Sequence, residues 1–168
     1  METGIFDEAG KTVKDHDGKY LTFSLAGEEY GIGILKVKEI IGMMKITMVP
    51  HTPSFTKGVI NLRGKVIPIV DLRVRFGMES VQYTDKTCII VVEIARGERE
   101  VMIGVIVDSV SEVVNIKGTD VEAAPNFGNC LDTNYIHGMA KAGDQVKILL
   151  DLDRVLSAEE MGALQKAA

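Results

Sequence analysis

Gly31-Ile32-Gly33-Ile34-Leu35-Lys36-Val37-Lys38-Glu39-Ile40-Ile41 is answered later in the chain by Gly104-Val105-Ile106-Val107-Asp108-Ser109-Val110-Ser111-Glu112-Val113-Val114. Glycine, glutamate and every apolar position of the pattern Gly-x-x-Ile-x-x-Val-x-Glu-Ile-Ile recur at a constant offset of 73, Val37 to Val110. Further on, Pro53-x-Phe55 answers to Pro125-x-Phe127 at an offset of 72. Gly58, Val66 and Asp71-Leu72 then answer to Gly138, Val146 and Asp151-Leu152 at an offset of 80. The step from 72 to 80 places an eight-residue insertion within residues 128–136 of the second copy. Apolar matches alone are common to any two β domains, but ordered Gly, Glu, Pro, Phe and Asp are not. The chain reads as a duplication whose period is too long for a solenoid unit and suits a small barrel.

Strand signals dominate both copies. Leu21, Phe23 and Leu25 alternate with Thr22 and Ser24, and residues 30–34 return after the turn Ala26-Gly27-Glu28-Glu29. Residues 59–62 and 66–70 are joined by Arg63-Gly64-Lys65, and residues 89–94 and 101–107 flank Arg96-Gly97-Glu98-Arg99. Residues 110–116 and 146–150 add further strands, while 36–41 reads as a helical turn entering a strand. Helix is scarce: Ser157 and Glu160 have capping-box spacing, with Met161 and Leu164 on one face behind them. The fold class is all-β: two tandem barrels on a common apolar seam, then a short C-terminal helix at 157–168. Residues 1–18 form a disordered tail and 19–156 the domain. The boundary between subdomains falls near 80–86, with exchange of strands between the copies left open.

The chain has 168 residues, 46% hydrophobic and 26% charged, and can bury a sufficient core without disulfide or metal. Its 19 Lys and Arg against 24 Asp and Glu give a net charge of −5, which argues against nucleic acid as a partner. Glu2, Asp7, Glu8, Asp15 and Asp17 against Lys11 and Lys14 put −3 of that in the tail. The longest apolar stretch, 101–107, is far too short to span a membrane. No basic and apolar leader precedes the domain, and two cysteines in unlike settings, Cys88 and Cys130, suggest a reducing cytoplasm. His16, His51 and His137 have no neighbours at metal-ligand spacing, and Gly31-x-Gly33 lacks the rest of a dinucleotide fingerprint. No residues are placed to activate a nucleophile. The expectation is no catalytic residue, no metal and no cofactor.

Where the copies differ, function has room. The turn that reads Gly143-Asp144 in the second copy reads Arg63-Gly64 in the first, ringed by Lys57, Lys65, Arg73 and Arg75 against Asp71. A tight turn needs the glycine but not the arginine. Arg63 is then either part of a solvated turn or an interface anchor. Glu39, twinned by Glu112, is either a shared structural carboxylate or a rim acceptor for a basic partner.

Residues 27–40, the long run Lys-Gly-Val-Ile-Asn-Leu-Arg-Gly-Lys-Val-Ile-Pro-Ile-Val-Asp-Leu-Arg at 57–73, Ala-Ala-Pro-Asn-Phe at 123–127 and Ser-Ala-Glu-Glu-Met at 157–161 together resemble the CheW family of bacterial chemotaxis coupling proteins. That resemblance implies two five-stranded SH3-like barrels and a non-enzymatic adaptor. Its partners would be the cytoplasmic helical hairpin of methyl-accepting chemoreceptors and the regulatory domain of the histidine kinase CheA. Val37, Glu39, Gly58 and Arg63 fall on positions associated with receptor engagement, and Ile34 and Ile40 join them from the same motif. Phe127 falls in a loop that contacts the kinase or a ring neighbour. Glu122-Ala123 stands where relatives can carry Arg-Pro. The resemblance implies a cytoplasmic protein, monomeric alone, not inserted in the membrane, and recruited to chemoreceptor arrays at the inner membrane. An adaptor for a paralogous motility kinase and a small-ligand-binding barrel are the alternatives.

Overall fold

The structure, a computed structural model, describes residues 18–123 and 135–156, without the side chain of Arg96. Among these residues the strands are β1 (Gly18–Leu25), β2 (Glu28–Gly33), β3 (Val37–Gly42), β4 (Thr56–Leu62), β5 (Lys65–Asp71), β6 (Cys88–Arg96), β7 (Arg99–Val107), β8 (Ser109–Ile116), β9 (Val121–Glu122), β10 (Ile136–Ala142) and β11 (Gln145–Leu150). One-turn helices Leu72–Arg75 and Leu152–Val155 follow β5 and β11, and 3-10 turns Ile34–Lys36 and Gly118–Asp120 lead into β3 and β9. The sheets have the orders β3-β6-β7-β5-β4 and β8-β1-β2-β11-β10-β9. The chain is mainly β and forms two β subdomains. The C-terminal helix expected at 157–168 lies outside the described residues.

Neither subdomain is built from one copy. Hairpin β1–β2 of the first copy sits with β8–β11, and hairpin β6–β7 of the second sits with β3–β5. Each exchanged hairpin is joined by parallel pairing at the same place, Gly31 opposite Leu149 and Gly104 opposite Ile69. A Cβ on Gly31 would stand 3.0 Å from Leu149 Cδ2, and one on Gly104 2.6 Å from Ile69 Cδ1. The partner strand's side chain crosses over the glycine, so the residue recurs in both copies.

The other matched residues have similar causes. Register slips between Val37 and Glu39 in β3 and between Val110 and Glu112 in β8, so each repeated glutamate follows a bulge. Gly58 and Gly138 mark matched slips in β4 and β10. Asp71 and Asp151 cap the one-turn helices, accepting from the backbone N–H of Arg73 at 3.0 Å and of Arg154 at 3.3 Å. Their own backbone N–H groups donate to the carbonyls of Phe55 at 2.8 Å and Tyr135 at 2.9 Å. The counterpart of Phe55 is therefore Tyr135 and not Phe127, and the insertion ends ahead of Tyr135. The capping aspartate fixes that alignment through the backbone, which a short Pro-x-Phe match cannot see.

The run from Cys88 to Ala95 is almost wholly apolar because both its faces are covered. Ile90, Val92 and Ile94 enter the seam core with Leu21, Phe23, Leu25, Ile103, Val105 and Leu150, while Ile89 and Val91 enter the first barrel with Ile60, Ile67, Ile69 and Ile106. Among the described residues the second barrel's own interior holds Tyr20, Ile116, Ala140 and Leu149, with Val114 and Val121 packed against them. The edges of the first sheet are closed by Thr47, which exchanges two backbone hydrogen bonds with Val59, both 2.8 Å. In the second sheet β9 pairs with β10 at the corresponding position.

Two arginines counted in the expected basic strip are instead used between the copies. Arg73 grips Asp108 with Nε to Oδ1 at 2.8 Å and Nη2 to Oδ2 at 2.7 Å, and Ala26 N–H also donates to Oδ2 at 2.9 Å. These bonds hold the Asp108 carboxyl below its usual range. A depressed carboxylate adds stability above its unfolded value, about pH 4, and that stability is lost as pH falls through the folded value. Arg73→Ala is expected to cost about 1.5–3 kcal/mol at neutral pH. In urea titrations the gap to the wild type should narrow steadily as the pH is lowered below about 4; a gap of constant size would refute the pairing as its source. Arg75 lies over the rings of Phe55, 5.3 Å from its centroid, and Tyr135, 4.6 Å away, and its Nε donates to Val155 O at 2.9 Å.

Candidate functional site

Strand β3 is a sheet edge with two different faces. Val37 lies opposite Val92 and Ile40 opposite Ile90, and both partners belong to the seam core. Ile34 and Val37 pack against that core while half-buried, and Ile40 is 44% exposed. Three of the expected residues thus form an apolar edge where the seam reaches the surface. The neighbouring lysines are tied down: Lys36 to Asp153 at 2.9 Å and Lys38 to Glu93 at 2.8 Å. The Lys38 bond holds the Glu93 carboxyl below its usual range.

The bulge at Lys38 turns Glu39 away from the seam, and its carboxylate accepts from the Arg63 guanidinium. This pair links β3 to the β4–β5 turn across the mouth of the first barrel. Arg63 and Gly64 have φ of +52° and +89°, the two left-handed residues of a type I′ hairpin turn. The sequence accounts for Gly64, but the arginine too adopts a conformation that costs a residue with a Cβ about 1–2 kcal/mol. The Asn61 side chain accepts from Gly64 N–H at 2.8 Å and closes the turn. Arg63 remains 68% exposed despite its partner. An exposed pair of this kind is worth little in isolation, so the guanidinium can change partners readily.

Gly58 contributes no surface. It is buried, with φ +139°, and a Cβ there would stand 2.0 Å from Thr47 O. Phe127 lies outside the described residues. The structure therefore brings together Ile34, Val37 and Ile40 on the seam edge, sets Glu39 against Arg63 at the mouth, and places Gly58 at the barrel closure. Sequence reasoning missed Leu35, 93% exposed, Met48, 83%, and Val66, 70%, with Met44 half exposed, all in or beside the same barrel. Three methionines within residues 43–48 were the available signal, since Met suits a surface that must adapt to a partner.

Among the described residues no group of three His, Cys, Asp or Glu is placed to hold a metal ion. None of their helices is long and apolar enough to cross a membrane. The family model for the CheW-like domain matches residues 19–160. The chain belongs to the CheW-like family. Chemotaxis protein CheW of Klebsiella aerogenes is 42% identical over 160 residues, covering 95% of this chain and 92% of that protein. Chemotaxis protein CheW of Bacillus subtilis is 34% identical over 142 residues, covering 84% and 88%. The crystal structure of the scaffolding protein TtCheW from Thermoanaerobacter tengcongensis matches with a TM-score of 0.75 at 38% identity, over 86% of this chain and 90% of that one. The CheW-like family is one of chemotaxis scaffolds and adaptors, not enzymes, and this chain is such an adaptor.

Proposed function

We propose that the chain couples methyl-accepting chemoreceptors to the histidine kinase CheA by receiving the receptor's cytoplasmic helical hairpin along the β3 edge. The observation that carries this reading is the apolar edge Ile34, Val37 and Ile40 beside an exposed arginine at the barrel mouth. A helix offers apolar side chains three and four residues apart, which suit such an edge. It also offers carboxylates and end carbonyls to a guanidinium fork. A modest apolar patch with a polar rim suits partners that are held reversibly. In the same reading, Phe127 contacts the kinase regulatory domain or a ring neighbour, and the adaptor is recruited in the cytoplasm to chemoreceptor arrays at the inner membrane.

Receptor-hairpin binding to Arg63 variants tests this. Arg63→Ala is expected to weaken binding by about 1–3 kcal/mol with the fold intact. Arg63→Gly should weaken it as much while matching or slightly exceeding wild-type stability, because glycine adopts φ +52° without strain. Unchanged receptor affinity in both variants would reject the proposal.

A further inference from the structure

The two barrel mouths differ in a way that the duplication makes legible. In the first, Arg63 on the β4–β5 turn meets Glu39 on the edge strand β3. In the second, the same positions hold Gly143 on the β10–β11 turn and Glu112 on the edge strand β8. Gly143 has φ +63°, so the turn starts with the same left-handed residue but without the side chain. The backbone of Glu112 bonds to the Thr22 hydroxyl at 2.9 and 3.2 Å, yet its carboxylate meets no cation among the described residues.

The residues behind this mouth also differ between the copies. Where the first barrel has Ile60, Leu62 and Ile67, the second has Ala140, Ala142 and Lys147. The mouth itself is a concavity of about 680 Å³ lined by Glu28, Glu29, Ser111, Glu112, Asp144 and Lys147, among others. Glu29 is engaged, accepting from the Ser24 and Ser111 hydroxyls at 3.0 Å each and facing Lys147 at 3.7 Å. Glu28, Glu112 and Asp144 meet no cation among the described residues. The half-exposed Val146, in the same lining, offers apolar surface beside them.

We infer that the mouth of the second barrel receives an arginine side chain from a partner protein, which does for Glu112 what Arg63 does within the chain for Glu39. The first barrel shows the chemistry: a guanidinium on a hairpin turn, laid against a glutamate that follows a bulge. A forked guanidinium can meet two of the carboxylates at once, which a lysine cannot reproduce. None of these residues belongs to the β3 edge, so the inference stands apart from the receptor reading.

The test titrates the isotope-labelled full chain with a cyclised hairpin peptide carrying Arg-Gly at its turn, beside Lys-Gly and Glu-Gly versions. Amide shifts are expected to centre on residues 111–113 and 143–147. The Glu-Gly peptide should bind at least about tenfold more weakly, and Glu112→Gln should lower affinity for the arginine peptide by a similar factor. Gly143→Arg supplies the missing side chain from within and should block the peptide; if that variant does not fold, Glu112→Gln decides. Shifts centred elsewhere, or undiminished binding to Glu112→Gln, would overturn the site. Equal affinity for the Lys-Gly peptide would overturn arginine as its occupant.

Discussion

Gly58→Ala is expected to destabilise the protein by about 4 kcal/mol, a fall in Tm of about 8–16 °C for a chain of this size. Two costs combine. A left-handed φ of +139° strains any residue with a Cβ, by about 1–3 kcal/mol. The added carbon would also stand 2.0 Å from Thr47 O and 2.8 Å from Thr47 C. Those atoms are backbone, and Thr47 O is already bonded to Val59 N–H at 2.8 Å. Relief therefore requires opening the closure of the first barrel. Gly104→Ala makes a useful contrast, because the atoms too close to its added carbon belong to side chains, Ile69 Cδ1 at 2.6 Å and Ile89 Cγ2 at 2.7 Å, with the backbone Pro68 O at an ordinary 3.9 Å. Those can shift, and overpacking there should cost about 1–3 kcal/mol. Thermal melts of the two variants rank them. A Gly58→Ala protein that melts like the wild type yet loses a partner would show instead that the glycine itself is a contact.

Arg75→Ala should cost about 3 kcal/mol, the other large effect. Its guanidinium is held against Phe55 and Tyr135, bonds the Tyr135 hydroxyl, and donates to Val155 O at the end of the last one-turn helix. Each ring contact contributes on the order of 0.5–2 kcal/mol, and the charged bond to a helix-end carbonyl adds to that. Because Phe55 belongs to the first copy and Tyr135 and Val155 to the second, the loss falls on the joint between copies. Arg75→Lys should recover less than half, since an ammonium cannot lie flat between two rings. Denaturant midpoints read both effects, and a loss under about 1 kcal/mol for the alanine variant would contradict this account.

The repeat made the fold class legible, because glycine, bulge glutamate and capping aspartate recur where backbone geometry demands them. Gly31 and Gly104 sit under a crossing strand, and Asp71 and Asp151 begin helices. The exchange of hairpins was not legible, since an offset says which residues are equivalent but not which copy they pair with. Charge counting around Arg63 failed for a related reason. Arg73 finds Asp108, 35 residues away, and no local window contains that partner. Within the site, Glu39 and Arg63 were visible as separate residues, but their pairing depends on closure of the barrel. Leu35 and Met48 were passed over because an apolar residue in a β-rich chain is first read as core.

The interleaved sheets also set an order of assembly. The hairpin β1–β2 is the first of the described strands to leave the ribosome, yet its neighbours are β8, paired through Gly18 and Ile116, and β11, paired through Gly31 and Leu149. The barrel that carries Arg63 is complete once β7 has emerged. This hairpin therefore waits, with Leu21, Phe23 and Leu25 uncovered, until the later described strands β8 and β11 are translated. A chain that stops short of β8 is therefore expected to leave the apolar side of this hairpin uncovered.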